Sequence, residues 1–194
     1  MRNATYDDKN IITEILYLSF LDNQSVNYIC QQDERKADRI KALMDYSFEI
    51  CYRYGDVFLS DNGNACALIL YPHQKSTSLK TILLDVNLIF NCIGLRNINK
   101  ALRRESMIKR IQPKIPIYYL WFIGVSPDSQ GTGIGTSFLN EVLGHSKEKN
   151  LPVYLETSTV RNLSWYKRLG FEIYSELDFG YKLFFLRRDR EIES

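Results

Sequence analysis

A chain of 194 residues, 45% hydrophobic and 25% charged, has the composition of a folded globular protein and excludes disorder. Its net charge of +2 gives no strong pull toward nucleic acid or an anionic membrane, and no run approaches the roughly 18 apolar residues of a membrane span. Cys30, Cys51, Cys66 and Cys92 form no CxxC pair and have only His73 and His145 to join them, so no metal site is expected.

The length suits one well-cored domain over residues 1–194. "ATY" at 4–6 reads as a short strand, and Asp7 or Asp8 caps a helix over 8–22 whose Ile11, Ile12, Ile15, Leu16 and Leu18 recur at helical spacing. A turn near 22–27 leads into a second amphipathic helix, 33–53, on Ile40, Leu43, Met44, Phe48 and Cys51. "DVFLS" and "ACALILY" flank "DNGN", a hairpin signal. Residues 75–111 read as two helices broken near Gly94, with a basic face of Lys100, Arg103, Arg104, Lys109 and Arg110. No aromatic residues interleave with those cations as a single-strand binder requires, so the face reads as solvated surface.

"IPIYYLWFIGV", 115–125, is apolar without alternation, as in a strand buried on both faces. A helix over 133–149 follows with Phe138, Leu139, Val142 and Leu143 as its stripe, then a strand at 151–157, a short helix at 160–169, and closing strands at 171–176 and 180–187. The order implies an α+β fold: a mixed, mostly antiparallel sheet flanked by helices, with one parallel β-α-β crossover near its centre. The N-terminal "MRNATYDDKNII" has no apolar leader segment, so buried free thiols in a cytoplasmic protein are expected.

At the junction of the apolar strand and the next helix stands "QGTGIG", 130–135. Helix N-termini present unpaired N–H groups and the positive end of the helix dipole, and glycines let an anion approach the main chain. Gly131, Gly133 and Gly135 would bring a pyrophosphate onto the amides of Gly131, Thr132, Gly133, Ile134, Gly135 and Thr136, with Gln130 and the Thr136 hydroxyl as further donors. Glycines also serve tight strand–helix turns without a ligand. A dinucleotide fold has G-x-G-x-x-G; here Thr136 takes the third position, although Glu156 follows at the distance of that fold's ribose acid. The Lys-Ser/Thr ending of a Walker loop is absent.

The same residues resemble the GNAT superfamily of N-acetyltransferases, whose acyl-CoA signature is Gln/Arg-x-x-Gly-x-Gly/Ala. Gln130 through Gly135 match it in full, and Asn162, Tyr166, Gly170 and Phe171 resemble the family's Asn…Tyr…Gly-Phe block. The resemblance covers about residues 115–175. It implies an acetyl-CoA cosubstrate, with no metal, lying between the central strand and the next parallel strand, its pantetheine along the main chain near Ile123 and Val125, and Asn162 near the cofactor. It implies an amine of a small molecule or peptide attacking the thioester directly, a strand N–H near Phe122 or Ile123 for the oxyanion, and Tyr166 as the general acid. Pattern alone places Tyr166 in the core. "YYLWFIGV" holds no acid or histidine, so the base falls to Glu156, with Asp22 or a water chain oriented by Tyr118 and Tyr119 as alternatives; Glu156 also reads as a structural strand-end carboxylate. The partners implied are acetyl-CoA and an amine, without nucleic acid or membrane, and a homodimer is compatible with the sequence. Two other readings remain: a non-catalytic acyl-CoA-binding sensor or subunit, and a Rossmann-like nucleotide-binding protein.

Overall fold

The computed structural model describes residues 1–190. Its strands are β1 (Arg2–Asn3), β2 (Gly55–Leu59), β3 (Ala65–Leu70), β4 (Tyr118–Val125), β5 (Val153–Thr157), β6 (Glu172–Asp178) and β7 (Lys182–Arg188). Its helices are α1 (Lys9–Phe20), α2 (Gln24–Ile29), α3 (Lys36–Tyr54), α4 (Leu79–Leu88), α5 (Ile98–Ile111), α6 (Ile134–Glu148) and α7 (Leu163–Arg168). The strands form one sheet in the order β1-β2-β3-β4-β5-β7-β6, antiparallel except for β4 against β5. This is the mixed sheet with one central parallel crossover that the element order implies, and it excludes the all-parallel Rossmann alternative.

The element boundaries follow local chemistry, with three departures. The first strand lies at residues 2–3 instead of 4–6, because Asp8 accepts from the Thr5 amide at 2.7 Å and folds 6–8 into a 3-10 turn. The expected turn at 22–27 contains α2, six residues long, capped by Asn23 Oδ1 accepting from Val26 N at 3.1 Å. So short a helix shows no apolar period to read. In the third, the expected strand over 115–125 begins only at Tyr118. The two helices of 75–111 do break at Gly94 (φ +74°), α4 running on through a π turn at 89–93 before the chain bends by 101° into α5.

Two helical layers cover the sheet. Cys66, Leu68 and Leu70 of β3 face Ile12 and Leu16 of α1 and Leu43 and Phe48 of α3. Ala65, Ala67 and Ile69 face Phe138, Leu139, Val142 and Leu143 of α6, the stripe expected from its spacing. Burying each of those four side chains is worth about 1.5–3 kcal/mol relative to exposing it, which fixes α6 and hence the loop at its start. All four cysteines are buried free thiols, with Cys30 and Cys92 Sγ 3.3 Å apart between α2 and the π turn.

What opens the site is an irregularity in β4. Its register with β3 passes from Leu68↔Phe122 to Ile69↔Leu120, leaving Trp121 as an extra residue. Such a bulge bends and twists the strand. Trp121 and Phe122 consequently both pack on the α1–α3 side, although they are adjacent in sequence. On its other edge β4 pairs with β5 only at Tyr118↔Val153 and Tyr119↔Tyr154, after which the two strands part.

Candidate functional site

The parting of β4 and β5 forms the floor of a cleft of 1140 Å³. Gln130, Gly131, Gly133, Gly135, Thr136, Asn162 and Tyr166 line one end, and Leu43, Tyr46, Thr81, Asp85 and Glu105 from α3, α4 and α5 line the other. Ile123, Val125 and Glu156 lie along its walls. Asp22 is exposed and is not among the lining residues, which removes it as a base.

The glycine loop divides its labour. Gly131 and Gly133 have φ of +76° and +89°, the region that L side chains rarely adopt, and Gly133 serves as the N-cap of α6. A Cβ added at either would meet nothing within 4 Å, whereas at Gly135 it would sit 3.3 Å from Val125 Cγ2. The first two glycines thus shape the turn and leave room over it, and the third seats α6 on β4. Among the described residues the amides of 131–135 donate to no backbone carbonyl, while that of Thr136 is engaged by Gly133 O at 3.0 Å. Five unpaired N–H groups at the positive end of a 15-residue helix fit an anion.

Of the two expected side-chain donors, Gln130 is committed elsewhere, while the Thr136 hydroxyl accepts a hydrogen bond and keeps its own proton to donate. Gln130 Nε2 donates to Val125 O at 3.0 Å, where Ser19 Oγ also donates at 3.0 Å, so Gln130 ties the loop to β4. The Thr136 hydroxyl accepts from Trp165 Nε1 at 2.9 Å, drawing α7 over the first turn of α6. Thr132 Oγ1 donates back to Ser129 O at 2.7 Å, and Ile134 packs on the α6-side core. With the Val125 carbonyl engaged, the unpaired edge of β4 that remains for an extended ligand centres on Ile123.

Asn162 precedes α7 in helical conformation, and its side chain makes no capping hydrogen bond. A helix-capping role is therefore absent, and the amide is left to the cleft it lines. Asn162→Ala should leave the melting temperature of the protein alone within about 0.5 kcal/mol of stability, and should shrink the upward shift that acetyl-CoA produces. A loss of stability with an unaltered ligand shift would return Asn162 to a structural role.

Tyr166 is both core and cleft. Its ring stands edge-on to Phe171 with centroids 5.5 Å apart, as the pattern reading expects, and the residue also lines the cleft. Burial holds its hydroxyl well above the usual tyrosine range, so the proton stays on oxygen at neutral pH.

Glu156 lies on β5 beside the point where the strands part. Gln112 Nε2, at the C-cap of α5, donates to Glu156 Oε1 at 2.9 Å, and the Tyr119 hydroxyl donates to Oε2. Burial pushes its carboxyl above the ordinary glutamate value, against the lowering pull of those two hydrogen bonds. The two tyrosines at the start of β4 part company. Tyr119 meets Glu156, whereas Tyr118 points to the other face of the sheet, 3.1 Å from His145 Nδ1 of α6, and plays no part in the cleft. Gln112 was not legible as a site residue, since it lies 44 positions from its partner on a separate element.

The model of the family described as acetyltransferase (GNAT) domain matches residues 86–173, the span that holds the loop, Glu156, Asn162 and Tyr166. Over those residues the chain matches a GNAT acetyltransferase domain. By that domain it is an enzyme of the acetyltransferase class. Solved structures with the same fold include a histone acetyltransferase HPA2 and related acetyltransferase from Corynebacterium glutamicum (TM-score 0.71, 19% identity, covering 100% of this chain and 97% of that one). They also include arylalkylamine N-acetyltransferase 2 from Aedes aegypti (TM-score 0.61, 14% identity, 98% of each chain). An N-acetyltransferase from Staphylococcus aureus Mu50 aligns with TM-score 0.57 and 15% identity over 96% of this chain and 98% of that one. At these identities the likeness establishes the GNAT fold across the whole chain, well beyond the span of the family match. No group of three or more metal-ligating side chains occurs among the described residues.

Proposed function

We propose that the protein is a cytoplasmic, acetyl-CoA-dependent N-acetyltransferase, acting as one domain over 1–194 and acetylating a primary amine of a small molecule or peptide by direct attack. The observation that carries this is the convergence, in one cleft, of five unpaired loop amides, an unpaired β4 edge, a protonated Tyr166 and a half-buried Glu156. GNAT acetyltransferases use acetyl-CoA, and the loop fits its pyrophosphate; bound there, it supplies an activated acyl thioester. The amides of 131–135 hold the phosphates, and the Ile123 edge and Asn162 hold the chain that leads inward. A main-chain N–H at Phe122 or Ile123 donates to the developing oxyanion. Glu156 takes the proton that the attacking amine must lose, directly or through water, while Gln112 and Tyr119 keep its carboxylate oriented. Tyr166 holds its proton at Oη for the departing sulfur. The buried free thiols support a reducing compartment. Having Glu156 in the cleft supports an enzyme over the non-catalytic sensor, because the carboxylate that β4 lacks is supplied from β5.

The test is release of CoA thiol from acetyl-CoA across a panel of small amines and peptides, followed by a pH profile on the best acceptor. The expected kcat/KM falls on the acid side as Glu156 takes up a proton, with a midpoint above the usual glutamate value of about 4.3. Gln112→Leu removes a hydrogen bond that favours the charged carboxylate, so the acid limb moves to higher pH. Acetyl-CoA binding without thiol release for any amine would establish the sensor instead.

A further inference from the structure

The α4–α5 segment has an outer side that the acetyltransferase reading does not use. Leu79, Ile82, Leu83, Val86 and Phe90 follow one another at intervals of three or four residues apart from the adjacent pair, and so fall on one line of the α4 surface. Such a stripe ordinarily faces a core, yet all five are exposed, Leu79 to 81%, Leu83 to 67% and Phe90 to 61%. Leu95 and Leu102 are exposed beyond the bend, so seven of the fourteen exposed large apolar side chains among the described residues lie between 79 and 102. A concentration of that kind marks an interaction surface. The charge of the same segment is equally uneven. Between residues 75 and 110, eight Lys or Arg stand against two acids, Asp85 and Glu105, so this stretch alone carries +6 where the whole chain carries +2. Lys75, Arg104, Lys109 and both acids line the cleft, which leaves Lys80, Arg96, Lys100, Arg103 and Arg110 exposed outside it with no acid among them. The rest of the chain is correspondingly acidic, and the overall net charge conceals the asymmetry.

We infer that α4 and the start of α5 form a docking face for an anionic lipid surface, on which α4 lies with its apolar stripe sunk below the headgroups. An amphipathic helix binds in this manner when apolar burial and attraction of Lys and Arg to anionic headgroups act together. No single described helix is long and apolar enough to cross a membrane; α4 and α5 reach that length and composition only as a pair bent by 101°. The pair lies on the bilayer, because its cations then stay among the headgroups. A second copy of the chain is the poorer occupant, because a two-fold contact would set this basic segment against itself. The inner side of the same two helices contributes Thr81, Asp85, Leu88 and Glu105 to the cleft, so one element serves both surfaces.

Co-sedimentation of the full chain with vesicles tests this independently of any activity. The protein should bind vesicles of phosphatidylcholine and phosphatidylglycerol in equal parts, bind phosphatidylcholine alone far more weakly, and detach as salt rises. Leu83→Ser combined with Phe90→Ser should weaken binding roughly tenfold or more, by removing the inserted groups. Arg96→Gln combined with Arg103→Gln should weaken it by about thirtyfold. All four side chains are exposed and outside the cleft, so both variants should melt as the wild type does. Failure to bind the anionic vesicles overturns the inference, as does binding that survives both pairs of substitutions. A wild type that sediments as a dimer, and that Leu83→Ser with Phe90→Ser turns into a monomer, overturns it in favour of an interface between copies.

Discussion

Tyr166→Phe should slow acetyl transfer by roughly 10²–10⁴-fold in a single turnover, the range of a positioned general acid. The substitution keeps the ring, its edge contact with Phe171 and the packing of α7, and removes only the hydroxyl. Folding and acetyl-CoA affinity should therefore change little, because the phosphates and the pantetheine are, in the proposed mechanism, held by the loop and by β4. Burial raises the hydroxyl's pKa, which keeps its proton on oxygen at neutral pH. Single-turnover conditions matter because a thiolate leaves readily, and slow product release would mask the chemical step in kcat. A variant that matches the wild type there would assign the proton to solvent or to another side chain.

Gly133→Val should raise the dissociation constant of acetyl-CoA at least tenfold, about 1.4 kcal/mol. Two effects combine in it. A β-branched residue at φ +89° strains the backbone at a cost of about 1–3 kcal/mol, and its side chain enters the space over the loop amides. Gly180 provides the control, for it has φ +83°, nothing within 4 Å of an added Cβ, and a place in the β6–β7 turn away from the cleft. Gly180→Val should destabilise to a similar degree and leave acetyl-CoA affinity unchanged. Equal loss of affinity in the two variants would mean that strain, and not the phosphate cradle, explains the loop's glycines. The measurement is calorimetric titration beside a thermal melt of each variant.

Much of this site was legible because its determinants are local. The strand-to-helix junction at Gln130–Gly135, the stripe of α6 and the break at Gly94 each depend on residues within a few positions of one another. Asn162 and Tyr166 could be placed on or beside one short helix for the same reason, and the family resemblance then gave them roles. Glu156 was found by its place at the end of a strand, but its standing as an oriented, half-buried carboxylate depends on Gln112 and Tyr119, which approach from α5 and β4.

By itself, the sequence determined most of the elements and their order, the mixed sheet and the glycine loop at the start of α6, since hydrophobic period, caps and glycines act over one or two turns of chain; α2 and the first strand were beyond it. Only the tertiary structure decided which side of an element meets which neighbour. Period-two alternation separates Tyr118 from Tyr119 without saying that one joins His145 and the other Glu156. The bulge at Trp121, which parts β4 from β5 and so makes the cleft, arises from register against β3 and leaves no mark in the apolar run. The stripe on α4 has the spacing of a buried face, yet it lies outward, because the sides of α4 and α5 that line the cleft are the ones turned to the protein. Spacing measures how apolar groups are arranged along one element; what covers them depends on elements distant in the chain.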